Sequence, residues 1–382
     1  ILPNFPVLST PRQLPVGVPQ NRFSPEEPLI MNTFTGYVKH CCYLSSRRSA
    51  VTAGPEQDVL SFLTVQRTLR TLRHNPTQHW SLDMNSNSSR PTAPNGAEFR
   101  PLGEGLQEIV CNSPLTRYRV LTQGAQLLSW HPQGEPEVVW CSPDARFLPG
   151  KPPRGGTPIC WPWFGPHSNP EYPAHGLVRA RAWTLERYQR EPDGSDTLHF
   201  STTTTASDAS PLWPHPARLD LTYRIGQSLS ISLETTNLGD SPISITEAVH
   251  TYFGVGDVRE IEVQGLSGSI YLDRLQADAR IEQVGNITIS GETDRVYLST
   301  SPECAIVDPQ LNRIIQIQSE GAQSKVVWNP WIEKAAKLGD LGDSGYLKMV
   351  CVESGNIADD AVTIAPGKRH AFQIRYSTRP LV

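Results

Sequence analysis

The 382-residue chain contains no run of 18 or more apolar residues, so no segment is long and apolar enough to span a bilayer as a helix. Cys-x-x-Cys pairs are absent, which leaves a structural zinc site without its usual ligand spacing. No glycine-rich nucleotide loop follows a strand-like run, and no internal repeat is visible. The formal net charge of -4 gives no broad attraction for nucleic acid. Seven cysteines, Cys41, Cys42, Cys111, Cys141, Cys160, Cys304 and Cys351, are odd in number and irregular in spacing. That argues against a secreted disulfide framework and for free thiols in a reducing compartment, with the cytoplasm the expected location. Asn-x-Ser/Thr matches at Asn87 and Asn286 do not by themselves imply secretion.

Apolar residues make up 38% and charged residues 19%, a balance that supports a buried core and excludes a wholly disordered chain. The 34 prolines and 28 glycines favour short strands and turns over long helices. Charge divides unevenly. Residues 1–96 carry 9 Lys and Arg against 5 Asp and Glu, a net of +4, and the remainder 25 against 33, a net of -8. Such asymmetry marks a tail joined to a folded body, here 1–96 and 97–382. Residues 1–30 hold seven prolines and no apolar periodicity, and read as extended or disordered. Within 57–73, Val59, Leu60, Leu63, Leu69 and Leu72 with Arg67, Arg70 and Arg73 outline a short basic amphipathic helix. It reads either as an organelle-targeting segment or as a leader with no folded role. Met84 and the polar stretch after it look like a natural start.

From about Glu98 strand-like runs recur between turn signals. They are RYRVLTQ, LLSWHP, EVVWCSP, TLHFSTTTT, RLDLTYRI, SLSISLETTN, ISITEAVHTYF, IEVQGL, NITISG, RVYLST, RIIQIQS, KVVWNPW, LKMVCVES, AVTIAPG and HAFQIRYS. In Leu229 to Leu233 the apolar side chains share one face and the serines the other. Runs at this density predict an all-β body, a large antiparallel β-sandwich. Residues 334–341 read as a loop or short helical turn.

Three segments carry candidate chemistry. In Arg154-Gly155-Gly156 the glycines are able to offer backbone N–H groups to an anion beside a guanidinium, and the aromatics that follow suit either sugar C–H faces or a core. His175 stands among turn residues, and an extended stretch after Gly176 would point Arg179 to the same face. A solvated surface loop is the alternative there. Alternation from Ile243 puts His250 with Ser244, Thr246 and Ala248, opposite the isoleucines and Val249, so His250 faces a cleft of small residues. Glu353 ends the otherwise apolar Met349-Val350-Cys351-Val352, where a carboxylate is costly unless paired or functional. A His and a Glu together suit acid–base work near neutral pH, or a hydrogen bond that only ties two strands.

Five ordered blocks, RGGTPICWPWFG, PAHGLVRARAW, EAVHTYFGVGDV, ETDRVY and VWNPWIEKAAKLGDLGDSGYLKMVCVESGNI, resemble the hexose-6-phosphate mutarotases. These are the glucose-6-phosphate 1-epimerase-like branch of the aldose 1-epimerase (galactose mutarotase-like) family. The resemblance covers roughly residues 98–382 and implies the galactose mutarotase-like supersandwich. It implies that His250 and Glu353 are catalytic, that Arg154 and Arg179 meet the substrate phosphate, and that His175 and Asp294 contact substrate. Some relatives carry a polar residue before the second histidine; here it is Ala174, so that side-chain contact is absent.

The implied reaction interconverts the α and β anomers of a hexose 6-phosphate, glucose 6-phosphate above others. Glu353 acts as base at the C1 hydroxyl and protonated His250 as acid at the ring oxygen. No metal or other cofactor is expected. The expected partner is the small hexose phosphate, without nucleic acid or membrane, for a monomeric chain. A non-catalytic sugar- or sugar-phosphate-binding sandwich would use the same tryptophans and arginines without a paired acid and base. A two-carboxylate glycoside hydrolase and a metal isomerase with clustered histidines fit the residues less well.

Overall fold

The computed structural model describes residues 92–205 and 213–381. The expectations for the leader and for the helix within 57–73 lie outside the described residues, as do Cys41 and Cys42. The body is the antiparallel sandwich that the strand runs predict. One eight-stranded sheet runs in the order Glu262–Gln264, Glu303–Asp308, Arg313–Glu320, Arg369–Pro380, Leu229–Asn237, Ala217–Ile225, Asp196–Thr204, Thr184–Arg190. A second runs Ala279–Glu282, Ile270–Asp273, Thr293–Tyr297, Ser324–Asn329, Met349–Asn356, Glu247–Val249, Ile159–Cys160, with Tyr252–Gly254 also paired to Met349–Asn356. The first four strands, between Ala97 and Pro132, form a meander in chain order.

Alternation decides which face each residue serves. Leu229, Ile231 and Leu233 are buried while Ser230 and Ser232 are part-exposed, so the first sheet has one wet and one dry side. The central strand of the second sheet, Met349–Asn356, is buried on both. Val350 and Val352 enter the main core with Ile231, Phe372 and Tyr376 of the facing sheet. Met349 and Cys351 pack on the opposite face with Trp140 and Tyr252. By the same parity Glu353 lies on that opposite face. Ile243, Ile245 and Val249 join the main core and Ala248 the other face, as the sequence alternation predicts. The strand is nonetheless broken into Ile243–Ile245, Glu247–Val249 and Tyr252–Gly254.

Two predicted strands do not form. In EVVWCSP only Val139 and Cys141 make isolated bridges, because the segment divides its hydrogen bonds: Val138 N–H donates to Trp130 O, and Trp140 N–H to Tyr252 O. In NITISG, Ile287 makes a single bridge to Val263, and Ile287 and Ile289 are core anchors of a loop. The region expected as a loop or short helical turn holds the end of an eight-residue helix, Trp331–Leu338, which begins earlier than expected. Asn329 Oδ1 accepts from the Trp331 N–H, and Gly339 at φ 66° ends it. Among the described residues, no helix is long and apolar enough to cross a membrane, and Cys111, Cys141, Cys160, Cys304 and Cys351 are free thiols.

Gly355 sets how closely two central strands approach. A Cβ there would overlap the Glu247 carbonyl oxygen and lie 2.8 Å from the Ala248 Cα. Gly355→Ala is expected to cost about 1–3 kcal/mol in denaturant unfolding through this overpacking. Gly291→Ala, with nothing within 4 Å of the added carbon, serves as the control. Equal stability of the two variants would contradict the close-packed register.

Candidate active site

The register of two strands brings the first pair of site residues together. Val249 pairs with Ser354 and Tyr252 with Cys351. The same count sets His250 opposite Glu353, where the ladder is interrupted. The His250 N–H turns away to donate to Pro158 O at 2.9 Å, and the Thr251 hydroxyl is anchored at 2.7 Å to the Tyr376 hydroxyl in the core. The side chains then meet on the outer face of the sheet, with His250 Nε2 3.3 Å from Glu353 Oε1. Glu353 is 1% exposed and His250 9%.

Aromatic rings box in the imidazole. Tyr252 stacks on it at 5.0 Å and 14°, and Trp328 and His175 meet it edge-on at 6.0 and 5.5 Å. His175 sits in a turn at φ 63°. Its Nδ1 accepts from the Gly165 N–H at 3.3 Å and faces the Cys160 sulfur at 3.4 Å. An amide N–H can only donate, so Nδ1 is unprotonated and the ring proton sits on Nε2. The segment around Arg179 is turn, not extended strand. Arg179 still lines the cavity, and its Nη2 donates to Ala174 O at 2.7 Å. The position that lacks a polar side chain therefore contributes its carbonyl.

Arg154 is held by two partners: Nε donates to Asp340 Oδ1 at 3.0 Å and Nη1 to the Tyr252 hydroxyl at 3.3 Å. The expectation that both glycines after it present N–H groups to an anion fails for Gly156. Its N–H donates to Trp140 O, and its φ of 69° and contact with Leu127 O leave no room for a Cβ. Asp294 pairs across the ladder with Trp328 and lies 3.6 Å from Lys334.

His250, Glu353, Arg154, His175, Arg179 and Asp294 all line one cavity of about 860 Å³. Tyr252, Asp340 and Lys334 line it as well and were not anticipated. Tyr252 alone carried a signal, since it lies two residues from His250 in the same motif. Asp340 and Lys334 arrive through the helix and loop after Trp331, where nothing local marks them. Among the described residues, no three His, Cys, Asp or Glu side chains are grouped to hold a metal.

The electrostatics follow from burial. Desolvation, then Asp294, raises Glu353 well above the ordinary carboxylate value, with Arg179 opposing. Desolvation, then His175 and Arg179, lowers His250 well below the ordinary imidazole value. Desolvation with Arg179 and Arg154 takes His175 down to about 3. At 3.3 Å an ion pair gains about 5 kcal/mol at an effective dielectric near 20, while burying two ions costs several kcal/mol each. Burial thus favours the uncharged form of both groups. Burial works against the protonated His250 expected from sequence. Both imidazoles are expected to stay neutral as pH falls through 6.5, the unperturbed value. An NMR titration of ring nitrogens checks this; a His250 midpoint at or above 6.5 would contradict it.

A profile of the family described as aldose 1-epimerase matches residues 108–377. A protein of Escherichia coli strain K12, named "Putative glucose-6-phosphate 1-epimerase", is 38% identical over 276 residues, 72% of this chain and 92% of that protein. One of the same name from Cenchrus ciliaris is 33% identical over 293 residues, 74% of this chain and 88% of its own length. The crystal structure of a "putative mutarotase" from Salmonella typhimurium superposes with a TM-score of 0.70 at 32% identity, covering 76% of this chain and 96% of that one. With a matching sandwich, a matching profile and relatives above 30% identity along most of their length, the chain belongs to the aldose 1-epimerase family.

Proposed function

We propose that the protein interconverts the α and β anomers of a hexose 6-phosphate, with glucose 6-phosphate the preferred substrate. The observation that carries this reading is the His250–Glu353 contact of 3.3 Å in a cavity that Arg154 and Arg179 also line. A His–carboxylate contact that only joined two strands would have its remaining atoms satisfied. Here Nδ1 of His250 and Oε2 of Glu353 are buried without hydrogen-bond partners, an arrangement that is costly in a purely structural role.

The resting proton first passes from Glu353 to His250 across their contact. Glu353 then takes the proton from the C1 hydroxyl while His250 protonates the ring oxygen. The C1–ring oxygen bond breaks and the C1 carbonyl forms. Rotation about C1–C2 presents the other carbonyl face, and closure reverses both transfers. Ring opening leaves Glu353 protonated and His250 neutral, which is the state that burial favours. A base with a raised pKa and an acid with a lowered one make the opening step easier in both transfers. Each transfer contributes roughly 10²- to 10⁴-fold, and orientation in the boxed cavity adds to that. His175, a fixed neutral Nε2–H donor, and Asp294 are assigned to sugar hydroxyls. Arg154 and Arg179 are assigned to the phosphate, where a planar guanidinium makes paired, charge-assisted bonds.

The test is saturation-transfer NMR of anomer exchange on glucose 6-phosphate, glucose and galactose. Fastest exchange on the phosphorylated sugar is expected. Arg154→Ala is expected to lower kcat/KM for glucose 6-phosphate by roughly 10- to 100-fold more than for glucose, since a charge-assisted contact is lost. Equal losses would remove the phosphate assignment. No acceleration of any sugar would favour a sugar-binding module.

A further inference from the structure

Tyr252 has no part in the proton transfers above, yet it stands between the arginine and the acid–base pair. Its ring lies against His250 at 5.0 Å and 14°, and its hydroxyl oxygen accepts from Arg154 Nη1 at 3.3 Å. The residue lines the cavity and is 3% exposed. A phenol has one hydrogen to donate, and an arginine cannot accept it. Among the described residues no other partner takes the Tyr252 hydroxyl. Burial first, with Cys351 beside it, raises this phenol above its ordinary value, so it keeps its hydrogen. A buried donor without an acceptor is unfavourable. Packing does not explain the hydroxyl, because a phenylalanine would stack on His250 equally well.

Arg154 is positioned beside it for an anion. Asp340 and Tyr252 engage two of its N–H groups, which leaves three of the five that a guanidinium carries. An oxyanion seated on those lies next to the phenol. We propose that Tyr252 is a specificity-determining residue whose hydroxyl donates to the phosphate of the substrate, completing with Arg154 a phosphate-monoester site that abuts the stacked face of His250. The proposal rests on the hexose-6-phosphate reading and adds to it a neutral donor. A phosphate held there is one ring away from the general acid, so phosphate capture also orients the sugar toward the pair.

The experiment compares wild type, Tyr252→Phe and Arg154→Ala by anomer exchange on glucose 6-phosphate and glucose. Loss of a hydrogen bond to a charged acceptor is expected to shrink the preference of Tyr252→Phe for the phosphorylated sugar by roughly 10- to 150-fold. Inorganic phosphate provides a readout independent of turnover: it should raise the thermal midpoint of the wild type more than that of Tyr252→Phe. An unchanged preference and unchanged phosphate response in Tyr252→Phe, beside a lost preference in Arg154→Ala, would overturn the role of Tyr252 and leave the arginine assignment standing. A preference retained in both variants would remove the phosphate reading and this proposal with it.

Discussion

Strand register places His250 and Glu353 face to face, and the remaining chemistry depends on that placement. The ladder from Glu247–Val249 through Tyr252–Gly254 keeps one count against Met349–Asn356. The interruption between the two short strands frees the imidazole to leave the sheet plane. A one-residue slip would turn Glu353 toward the main core and carry Val350 and Val352 out of it, because side chains alternate faces with period two. Gly355 and the Thr251–Tyr376 hydrogen bond hold the register from either side of the pair.

The same burial that makes the sheet stable sets the chemistry. Buried on both faces, Met349–Asn356 has every residue shielded, and an ionised carboxylate in it is penalised. Arg179 adds to the penalty on a charged His250 and Asp294 to that on a charged Glu353, with Arg179 opposing there. The result is that burial and neighbouring charges favour the uncharged form of both groups. In water an imidazole holds a proton more tightly than a carboxylate. Here burial works against that order, raising Glu353 and lowering His250. Arg154, Tyr252 and His250 form a continuous chain of contacts along the cavity.

Much of this was legible in the sequence because alternation is a local property. Leu229 to Leu233 and Ile243 to Val249 declared their faces, and an acid at the end of the apolar Met349 to Val352 run declared its cost. EVVWCSP deceived because apolar content does not say where hydrogen bonds go, and its backbone bonds to two different strands. The helix at Trp331–Leu338 is short, and its start depends on the Asn329 side chain, a contact that periodicity does not report. Arg179 reached the cavity by a turn and not by an extended stretch, which was one of two readings of that segment. Asp340 and Tyr252 as partners of Arg154 are long-range meetings, and the opposed shifts of His250 and Glu353 are a property of the folded dielectric; neither is written in local pattern.

The most direct measurement is a double-variant cycle on anomer exchange of glucose 6-phosphate, using His250→Asn, Glu353→Gln and the two combined, each verified as folded. If one proton passes through a single two-residue relay, each single variant loses nearly as much rate as the double variant, as groups acting as a unit do. Losses that multiply, with substantial exchange surviving in either single variant, would contradict the shared-proton pair.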